Sequence, residues 1–275
     1  MSQHAHEVER GERFEFGANW TRFLKTLDDT RIATAQASLC GMLETETLQG
    51  RTFVDVGCGS GLFSLAARRL GAKVHSFDYD PKSVACSTEL RRRYFPDDSR
   101  WTVEAGSALD AEYLRSLGKF DLVYSWGVLH HTADMAGALA NAAGLVAPGG
   151  KLFIAIYNDQ GSRSRRWLWI KKLYNRSSKA TRFLVVSLVM AHFWWKPLLA
   201  DLLRGHPGRS WRQYQQNRGM SPVHDAVDWV GGYPFEVATP ELILDFYRAR
   251  GFSLVKLKTC QNLGCNQFVF QLLPA

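Results

Sequence analysis

The sequence is poor in cysteine. Five cysteines, an odd number, are scattered along 275 residues, which disfavours a disulfide framework. They are Cys40, Cys58, Cys86, Cys260 and Cys265. The last two lack a second Cys/His pair, so no metal site is predicted.

The sequence also lacks an apolar leader and a long apolar run. The first seventeen residues are polar and charged, unlike a secretory signal. The longest apolar stretch of interest, 183–195, is shorter than the ~20 residues that span a bilayer. We therefore expect a cytoplasmic protein.

Neither disorder nor a fibrous structure is indicated, because 46% hydrophobic and 22% charged residues are ordinary for a globular protein. The net charge of +8 raises the question of nucleic acid or an anionic membrane as a partner. The excess positive charge is concentrated in one segment. Residues 157–219 hold 13 Lys/Arg and two Asp, a net charge of +11, so the rest of the chain carries −3.

Short β-rich runs alternate with helical patterns between residues 52 and 157. Strands are predicted at 52–56, 73–77, 101–104, 120–125 and 151–157, and helices at 61–70, 81–94, 111–117 and 134–146. Such alternation predicts βαβ units and a parallel sheet.

The alternation stops after residue 157. A mostly helical segment is followed by a predicted helix, 240–250, and by two strands, 252–259 and 267–273. The short connection between these strands predicts a hairpin, so the last strand runs antiparallel. We divide the chain into an N-terminal helical cap (1–50), a core (51–157), a basic, aromatic-rich helical insertion before the last helix (158–235) and a C-terminal helix with its hairpin (236–275).

A glycine loop follows the first strand. Asp55 precedes Gly57, Gly59 and Gly61, and a helical pattern begins directly afterwards. Glycine lets a ligand lie against bare backbone, and a helix N-terminus offers unpaired N–H groups. The spacing differs from G-x-G-x-x-G and from a P-loop. Asp55 suits an ammonium group better than a pyrophosphate.

This Asp-x-Gly-x-Gly-x-Gly segment resembles motif I of class I S-adenosylmethionine-dependent methyltransferases, and further matches follow in order. They are Asp78-Tyr79 after the second strand, Ser107-Ala108 after the third, Ser125 ending the fourth, and Pro148-Gly149-Gly150 before the fifth. The resemblance implies an α/β Rossmann-like sheet of seven strands, mostly parallel with an antiparallel last strand. It also implies S-adenosyl-L-methionine as cofactor.

The resemblance also suggests roles for single residues. Asp78 corresponds to the acid that binds both ribose hydroxyls, and Ser107 and Ala108 to the stretch that recognises adenine. The family usually has Asp or Asn where Ser107 stands. Trp20 lies in a segment, 16–24, that resembles one closing over the cofactor in small-molecule methyltransferases; the alternative is simple packing on the sheet.

The acceptor site is expected beyond the carboxyl ends of strands four and five, where ligands of open α/β sheets bind. Trp126, His130 and His131 follow strand four, and Tyr157 ends strand five. A hydroxyl acceptor needs a base, most often His or a carboxylate. His131 is a candidate base, and the alternative is that the His pair orients its loop.

A second candidate cluster lies in residues 218–236, which contain several glycines and prolines and are predicted to form a loop. Here His224 is the leading candidate base, Asp228 its orienter, and Trp229 and Tyr233 are acceptor contacts. In the alternative, Trp229 and Tyr233 anchor a structural loop and Asp228 caps a turn.

The basic insertion has three interpretations: a lid over an apolar acceptor pocket, peripheral contact with a membrane through 182–204, or a nucleic-acid footprint. The continuous aliphatic run disfavours nucleic acid. The sequence also lacks the motifs of base-modifying enzymes after strand four. We favour O-methylation of a small, hydrophobic or aromatic acceptor, as in ubiquinone-biosynthesis-type methyltransferases. The alternatives are an RNA-modifying enzyme and a non-catalytic cofactor-binding protein.

Overall fold

The computed structural model describes residues 3–218, 222–261 and 263–274; the side chains of 214–218, Pro222 and His224 lie outside this description. Seven strands form one sheet in the order β3-β2-β1-β4-β5-β7-β6. The strands are β1 Thr52–Val56, β2 Lys73–Asp78, β3 Trp101–Ala105, β4 Phe120–Trp126, β5 Val146–Tyr157, β6 Phe252–Lys258 and β7 Cys265–Leu272. The first five pair in parallel, and β7 runs antiparallel to both β5 and β6. The predicted fold class is confirmed.

The helices cover both faces of the sheet and build the insertion. They are α1 Gln3–Glu9, α2 Gly17–Phe23, α3 Asp29–Leu43, α4 Leu62–Arg69, α5 Pro81–Tyr94, α6 Ala111–Leu117, α7 Met135–Gly144, α8 Ser162–Arg176, α9 Lys179–Leu203, α10 Arg209–Arg218, α11 Pro222–Gly231 and α12 Pro240–Arg248, with a short 3₁₀ helix at Leu129–His131.

Two hydrophobic clusters sandwich the sheet. Val54 and Val56 of β1 face the cluster that contains Tyr247 of α12, whereas Phe53 faces the cluster that contains Leu65 of α4. Alternate residues of a strand point to opposite faces, and a parallel sheet is normally covered on both. Polar groups of the central strands are therefore accessible mainly at the strand ends, where the candidate site lies.

The fifth strand begins earlier than predicted. Val146 pairs with Phe120 of β4, and the pairing shifts register before Leu122. The predicted helix 134–146 therefore ends at Gly144, and Gly149, with φ +75°, lies within the strand. Residues 148–150, Pro-Gly-Gly, are typical of a turn. They belong to the strand here because β5 pairs with β4 on both sides of them.

The predicted loop at 218–236 is also corrected, because it contains helix α11. Ala226 and Val230 are buried, and a spacing of four residues places them on one helix face. Burial of this apolar stripe against the insertion explains a helix where glycine and proline suggested a loop.

Helix α9 is longer than its apolar core in the sequence. It runs for 25 residues because neither Lys196 nor Pro197 ends it. Its mean hydropathy reaches 1.5 in an 18-residue window, so by length and composition alone it could cross a membrane. The expectation that this segment is too short to span is therefore wrong for the helix as a whole. Val189 and Asp201 are its buried residues.

Candidate active site

The glycine loop leaves β1 in a conformation that side chains would block. Gly57, Gly59 and Gly61 have φ of +76°, +53° and +80°, in the left-handed region that favours glycine. A Cβ at Gly57 would lie 2.4 Å from Cγ1 of Val128. The loop thus presents bare backbone at the N-terminus of α4, as predicted.

Asp78 lies beside this loop at the end of β2. Its carboxylate accepts hydrogen bonds from the backbone N–H groups of Gly59 and Asp80, both at 2.9 Å. Burial raises the pKa of Asp78 to about 6. The carboxylate is therefore held at the mouth of the loop. The adjacent Tyr79 donates its hydroxyl hydrogen bond to Glu7 in α1.

Asp55 lies beneath the loop. Its carboxylate accepts a hydrogen bond from the hydroxyl of Ser64, which accepts one from Ser76, and Trp101 donates its indole N–H to Ser76. Burial raises the pKa of Asp55 to about 7. The chain of hydrogen bonds ties the loop to the neighbouring strands. Contact between Asp55 and an ammonium group stays a prediction.

The other predicted cofactor residues lie at the same edge with their polar groups in internal hydrogen bonds. The Ser125 hydroxyl is completely buried and donates to the Val56 carbonyl. The Ser107 hydroxyl accepts from the Leu109 N–H, and Ala108 is buried. Their roles in cofactor binding stay predictions.

The N-terminal segment crosses the glycine loop through α2. The indole of Trp20 lies against Gly59, with Nε1 3.1 Å from where a Cβ would stand. The N–H of Gly17 donates to the buried Asp80 carboxylate at 2.8 Å. Trp20 therefore covers the loop, and its closing over a bound cofactor stays a prediction.

The His pair lies beyond β4 and is buried. Nδ1 of His131 hydrogen-bonds to the Pro234 carbonyl, and Arg13 donates to the His131 carbonyl. Burial lowers the pKa of His131 to about 3. The ring is therefore neutral, with its proton on Nδ1 and a lone pair on Nε2.

Aromatic rings surround Tyr157 at the end of β5. Its ring centroid lies 4.0 Å from that of His130, 5.4 Å from His131, 5.5 Å from Trp229 and 5.3 Å from Phe235. Four predicted site residues thus come together; Phe235 was not foreseen. Trp126, at the end of β4, is 45% exposed.

Lys171 of α8 is a buried site residue that the sequence did not single out. Its ammonium donates to the Trp229 carbonyl and lies 4.5 Å and 4.8 Å from the ring centroids of Trp229 and Phe235. Burial lowers its pKa to about 7, and the charge of Asp228 opposes this effect. No motif marks it, since it is one of thirteen cationic residues in the insertion.

Asp228 of α11 accepts a hydrogen bond from Asn19 of α2. Burial, followed by repulsion from Asp225, raises its pKa to about 7. Asn19 adjoins Trp20, so this contact links the predicted acceptor side to the cofactor loop. The predicted pairing of Asp228 with His224 falls outside the described side chains.

Tyr233 contacts the N-terminal segment through its backbone. Tyr233 accepts a hydrogen bond from the Phe14 N–H through its backbone carbonyl, at 2.8 Å. Among the described residues, no group of three or more His, Cys, Asp or Glu side chains is placed to hold a metal ion.

Comparison with known proteins agrees with this geometry. Residues 25–225 match a family model described as a methyltransferase domain. A ubiquinone biosynthesis O-methyltransferase from Methylobacterium sp. (strain 4-46) is 34% identical over 167 residues, which cover 56% of this chain and 64% of that protein. Its counterpart from Rhizobium etli (strain CIAT 652) is 35% identical over 113 residues, covering 40% and 43%. The chain therefore spans less than two thirds of these relatives.

Solved structures share the fold. Magnesium protoporphyrin IX methyltransferase from Synechocystis PCC 6803 with bound SAM has a TM-score of 0.52 at 12% identity, covering 87% of this chain and 78% of that one. N-methyltransferase NodS from Bradyrhizobium japonicum WM9 with S-adenosyl-l-homocysteine has a TM-score of 0.51 at 16% identity, covering 94% and 98%.

The sheet order and the glycine loop define a class I S-adenosylmethionine-dependent methyltransferase. The chain belongs to the methyltransferase-domain family and is a distant homologue of the ubiquinone biosynthesis O-methyltransferases. The residues present fit the cofactor: the loop is bare backbone that a Cβ would fill, and the Asp78 carboxylate lies at its mouth. Gly57, Gly59, Gly61 and Asp78 would hold S-adenosylmethionine, which supplies an electrophilic methyl group.

Proposed function

We propose that this methyltransferase acts on a hydroxyl group of a small, hydrophobic or aromatic acceptor. The observation that carries the proposal is the cluster around Tyr157, where aromatic rings, a neutral histidine and the half-buried carboxylate of Asp228 meet beyond β4 and β5. Flat apolar acceptors pack well against such rings. The curated relatives named above are O-methyltransferases, which supports oxygen as the acceptor atom.

The chemistry requires removal of one proton. As the acceptor oxygen bonds to the methyl carbon, the carbon–sulfur bond breaks and the hydroxyl proton passes to a base. Asp228 is our candidate for this base, because its raised pKa of about 7 lies near the operating range of a general base. His131 offers a neutral Nε2 as a hydrogen-bond acceptor. His224 stays a sequence-based candidate.

The test is methyl transfer from labelled cofactor to matched naphthalene acceptors. We expect transfer to catechol-type dihydroxynaphthalenes and none to the corresponding amines. Asp228→Asn should lower turnover at least tenfold with cofactor affinity preserved, whereas Asp245→Asn, on the exposed side of α12, should not. Transfer to total RNA would instead favour the RNA-modifying alternative, and cofactor binding without transfer to any substrate the non-catalytic one.

We also propose that helix α9 rests on an anionic membrane surface. Phe183, Leu188 and Leu203 are 77%, 62% and 79% exposed. The surrounding segment, 157–219, carries the +11 charge that complements anionic lipid. An exposed apolar helix face with flanking cations is typical of interfacial binding.

Vesicle sedimentation tests this contact. We expect the protein to sediment with phosphatidylglycerol vesicles, less so in high salt, and weakly with phosphatidylcholine alone. Leu184→Glu with Leu188→Glu should abolish sedimentation. Leu109→Glu, an exposed leucine outside the insertion, is the matched control. Equal sedimentation of all three proteins would contradict the proposal.

A further inference from the structure

Three nitrogen donors with unused hydrogen-bonding capacity lie in the buried cluster around Tyr157. They belong to His130, Lys171 and Trp229. The rings of His130 and Trp229 both contact Tyr157, and the Lys171 ammonium lies over the Trp229 ring. The three donors thus come from the 3₁₀ helix, α8 and α11, at the carboxyl ends of β4 and β5.

The first donor is the N–H group at Nε2 of His130, which the tautomer of the ring establishes. Nδ1 of His130 accepts a hydrogen bond from the Tyr157 N–H at 3.3 Å. Burial lowers the pKa of His130 far below its usual value, so the ring is neutral. Its single proton therefore resides on Nε2. That nitrogen is buried without a hydrogen-bond partner in the described part of the chain.

The other two donors are also incompletely satisfied. The indole Nε1 of Trp229 is buried and has no partner among the described residues. The Lys171 ammonium has three N–H donors, and its one described hydrogen bond goes to the Trp229 carbonyl. Aromatic rings lie against it on other sides. Within 3–218, 222–261 and 263–274, no carboxylate forms a salt bridge with it.

Native proteins rarely leave buried donors unpaired, because the groups have lost their hydration without a replacement. Donors that share one cluster are most simply satisfied by one ligand with several acceptor atoms. A buried ammonium among them favours an anion over a neutral oxygen. Tyr157 and Trp229 are only partly buried, so they mark the side from which a ligand would enter.

We propose that His130, Lys171 and Trp229 form a subsite that binds an anionic oxygen group of the methyl acceptor, a carboxylate or an ionised ring hydroxyl. The inference rests on the proposed function in placing the acceptor at this cluster. It narrows the substrate class to aromatic acids or acidic phenols.

Titration of the neighbours defines the pH dependence of binding. The titratable groups that interact with Lys171 are Asp228 on α11 and the His130–His131 pair on the 3₁₀ helix. Tyr157 on β5 lies in the same cluster, against Trp229. The histidines are neutral, and burial raises the pKa of Tyr157, so both stay uncharged near neutrality. Anion binding should therefore weaken as pH rises through about 7, where Lys171 and Asp228 both lose a proton.

Calorimetry with three probes tests the subsite independently of turnover. The probes are 2-naphthoate, 2-naphthol and 2-naphthamide, each titrated into protein saturated with S-adenosylhomocysteine. We expect naphthoate to bind at least tenfold more tightly than the amide at pH 6, and the advantage to shrink at pH 8.5. Comparison of naphthoate with naphthol distinguishes a carboxylate subsite from a hydroxyl subsite.

Variants separate a binding role from a structural one. Lys171→Met should remove the preference for naphthoate and its pH dependence while amide binding persists. Lys171→Arg should retain the preference, and Trp229→Phe should weaken naphthoate binding severalfold. Lys172→Met, exposed on the same helix, is the matched control. In [¹³Cε]lysine spectra, naphthoate should raise the pKa of Lys171.

Two outcomes would overturn the subsite. One is equal affinity for naphthoate and naphthamide in the wild-type protein. The other is that Lys171→Met and Lys171→Arg both lose affinity for naphthoate and for naphthamide to the same extent. That result would make Lys171 a purely structural residue. Binding of naphthoate through Lys171 in a protein that methylates no hydroxyl would retain the subsite and refute O-methylation instead.

Discussion

The cofactor side and the acceptor side of the molecule are built by different means. On the cofactor side, consecutive residues of one loop create the site, and Asp78 reaches Gly59 across only 19 positions. On the acceptor side, the contacts join distant parts of the chain: Lys171 and Trp229 are 58 positions apart, and Asn19 and Asp228 are 209 apart. Local geometry makes the first site recognisable in a sequence, whereas the second exists only after folding.

Their surfaces differ as well. Residues 157–219, which make up most of the basic insertion, carry +11, against −3 for the rest of the chain. Helix α9 exposes large apolar side chains, whereas the strands at the centre of the sheet are buried on both faces. The exposed apolar and cationic groups of the insertion are the basis of the proposed membrane contact, whereas the glycine loop that would hold the cofactor follows a strand at the centre of the buried sheet. Four variants test whether these two sides are energetically separate.

The largest effect is expected for Gly57→Val. Valine rarely adopts the φ of +76° observed there, and its Cβ would collide with Val128. Binding of S-adenosylhomocysteine should become undetectable in calorimetry. Gly41→Ala, where an added Cβ meets nothing within 4 Å, is the control and should bind normally. Normal binding by Gly57→Val would refute the assignment of the loop.

Asp78→Ala comes next. Loss of the carboxylate removes the acceptor of two backbone N–H groups and the predicted partner of the ribose hydroxyls. We expect cofactor affinity to fall about 100-fold, or about 2.7 kcal/mol. Asp245→Ala, at an exposed carboxylate, should leave the affinity unchanged. Unchanged affinity in Asp78→Ala would remove this residue from the site.

Asn175→Ala should lower the local stability of the acceptor side and leave the cofactor side unchanged. The Asn175 amide donates to the carbonyls of Lys171 and Gly231 and so ties α8 to the C-terminus of α11. Losing both bonds should cost about 1–3 kcal/mol, visible as faster amide exchange in α8 and α11 with cofactor affinity within twofold. Asn141→Ala, whose amide donates to Ala108 beside the sheet, should show the reverse pattern. Identical patterns in both variants would mean that the two sides open together.

The smallest effect concerns pH. The pKa of Asp228 is raised in the folded protein to about 7 from 3.8, so the fold favours its protonated form. This contribution to stability is complete below pH 3.8 and is lost as pH rises through about 7. Asp228→Asn should therefore remove this decline in the free energy of unfolding, so its melting temperature should fall less than that of the wild-type protein over that interval. A decline as steep as in the wild-type protein would show that Asp228 does not titrate near neutrality.

Much of the fold follows from local patterns. Strands β1 to β4 lie within one residue of their predicted bounds. Each is a short apolar, β-rich run that ends at a turn or a helical pattern, and such a run can be recognised without knowledge of its tertiary contacts. The first residues of β5 were missed, since their strand conformation depends on pairing with Phe120. Helix α11 was missed because its glycine and proline signals were outweighed by burial of Ala226 and Val230.

The sequence by itself determined the cofactor class, because the motif formed by Asp55, Gly57, Gly59, Gly61 and Asp78 is short-range, and the conformation of its loop is set by the glycines themselves. Tertiary structure alone decided that Lys171 is buried, that Asp228 meets Asn19, and that His130 and Trp229 share a cluster. The physical reason is desolvation. A lysine in a basic helix is an ordinary surface charge until packing removes it from water, and only then do its charge and its open donors have chemical consequences.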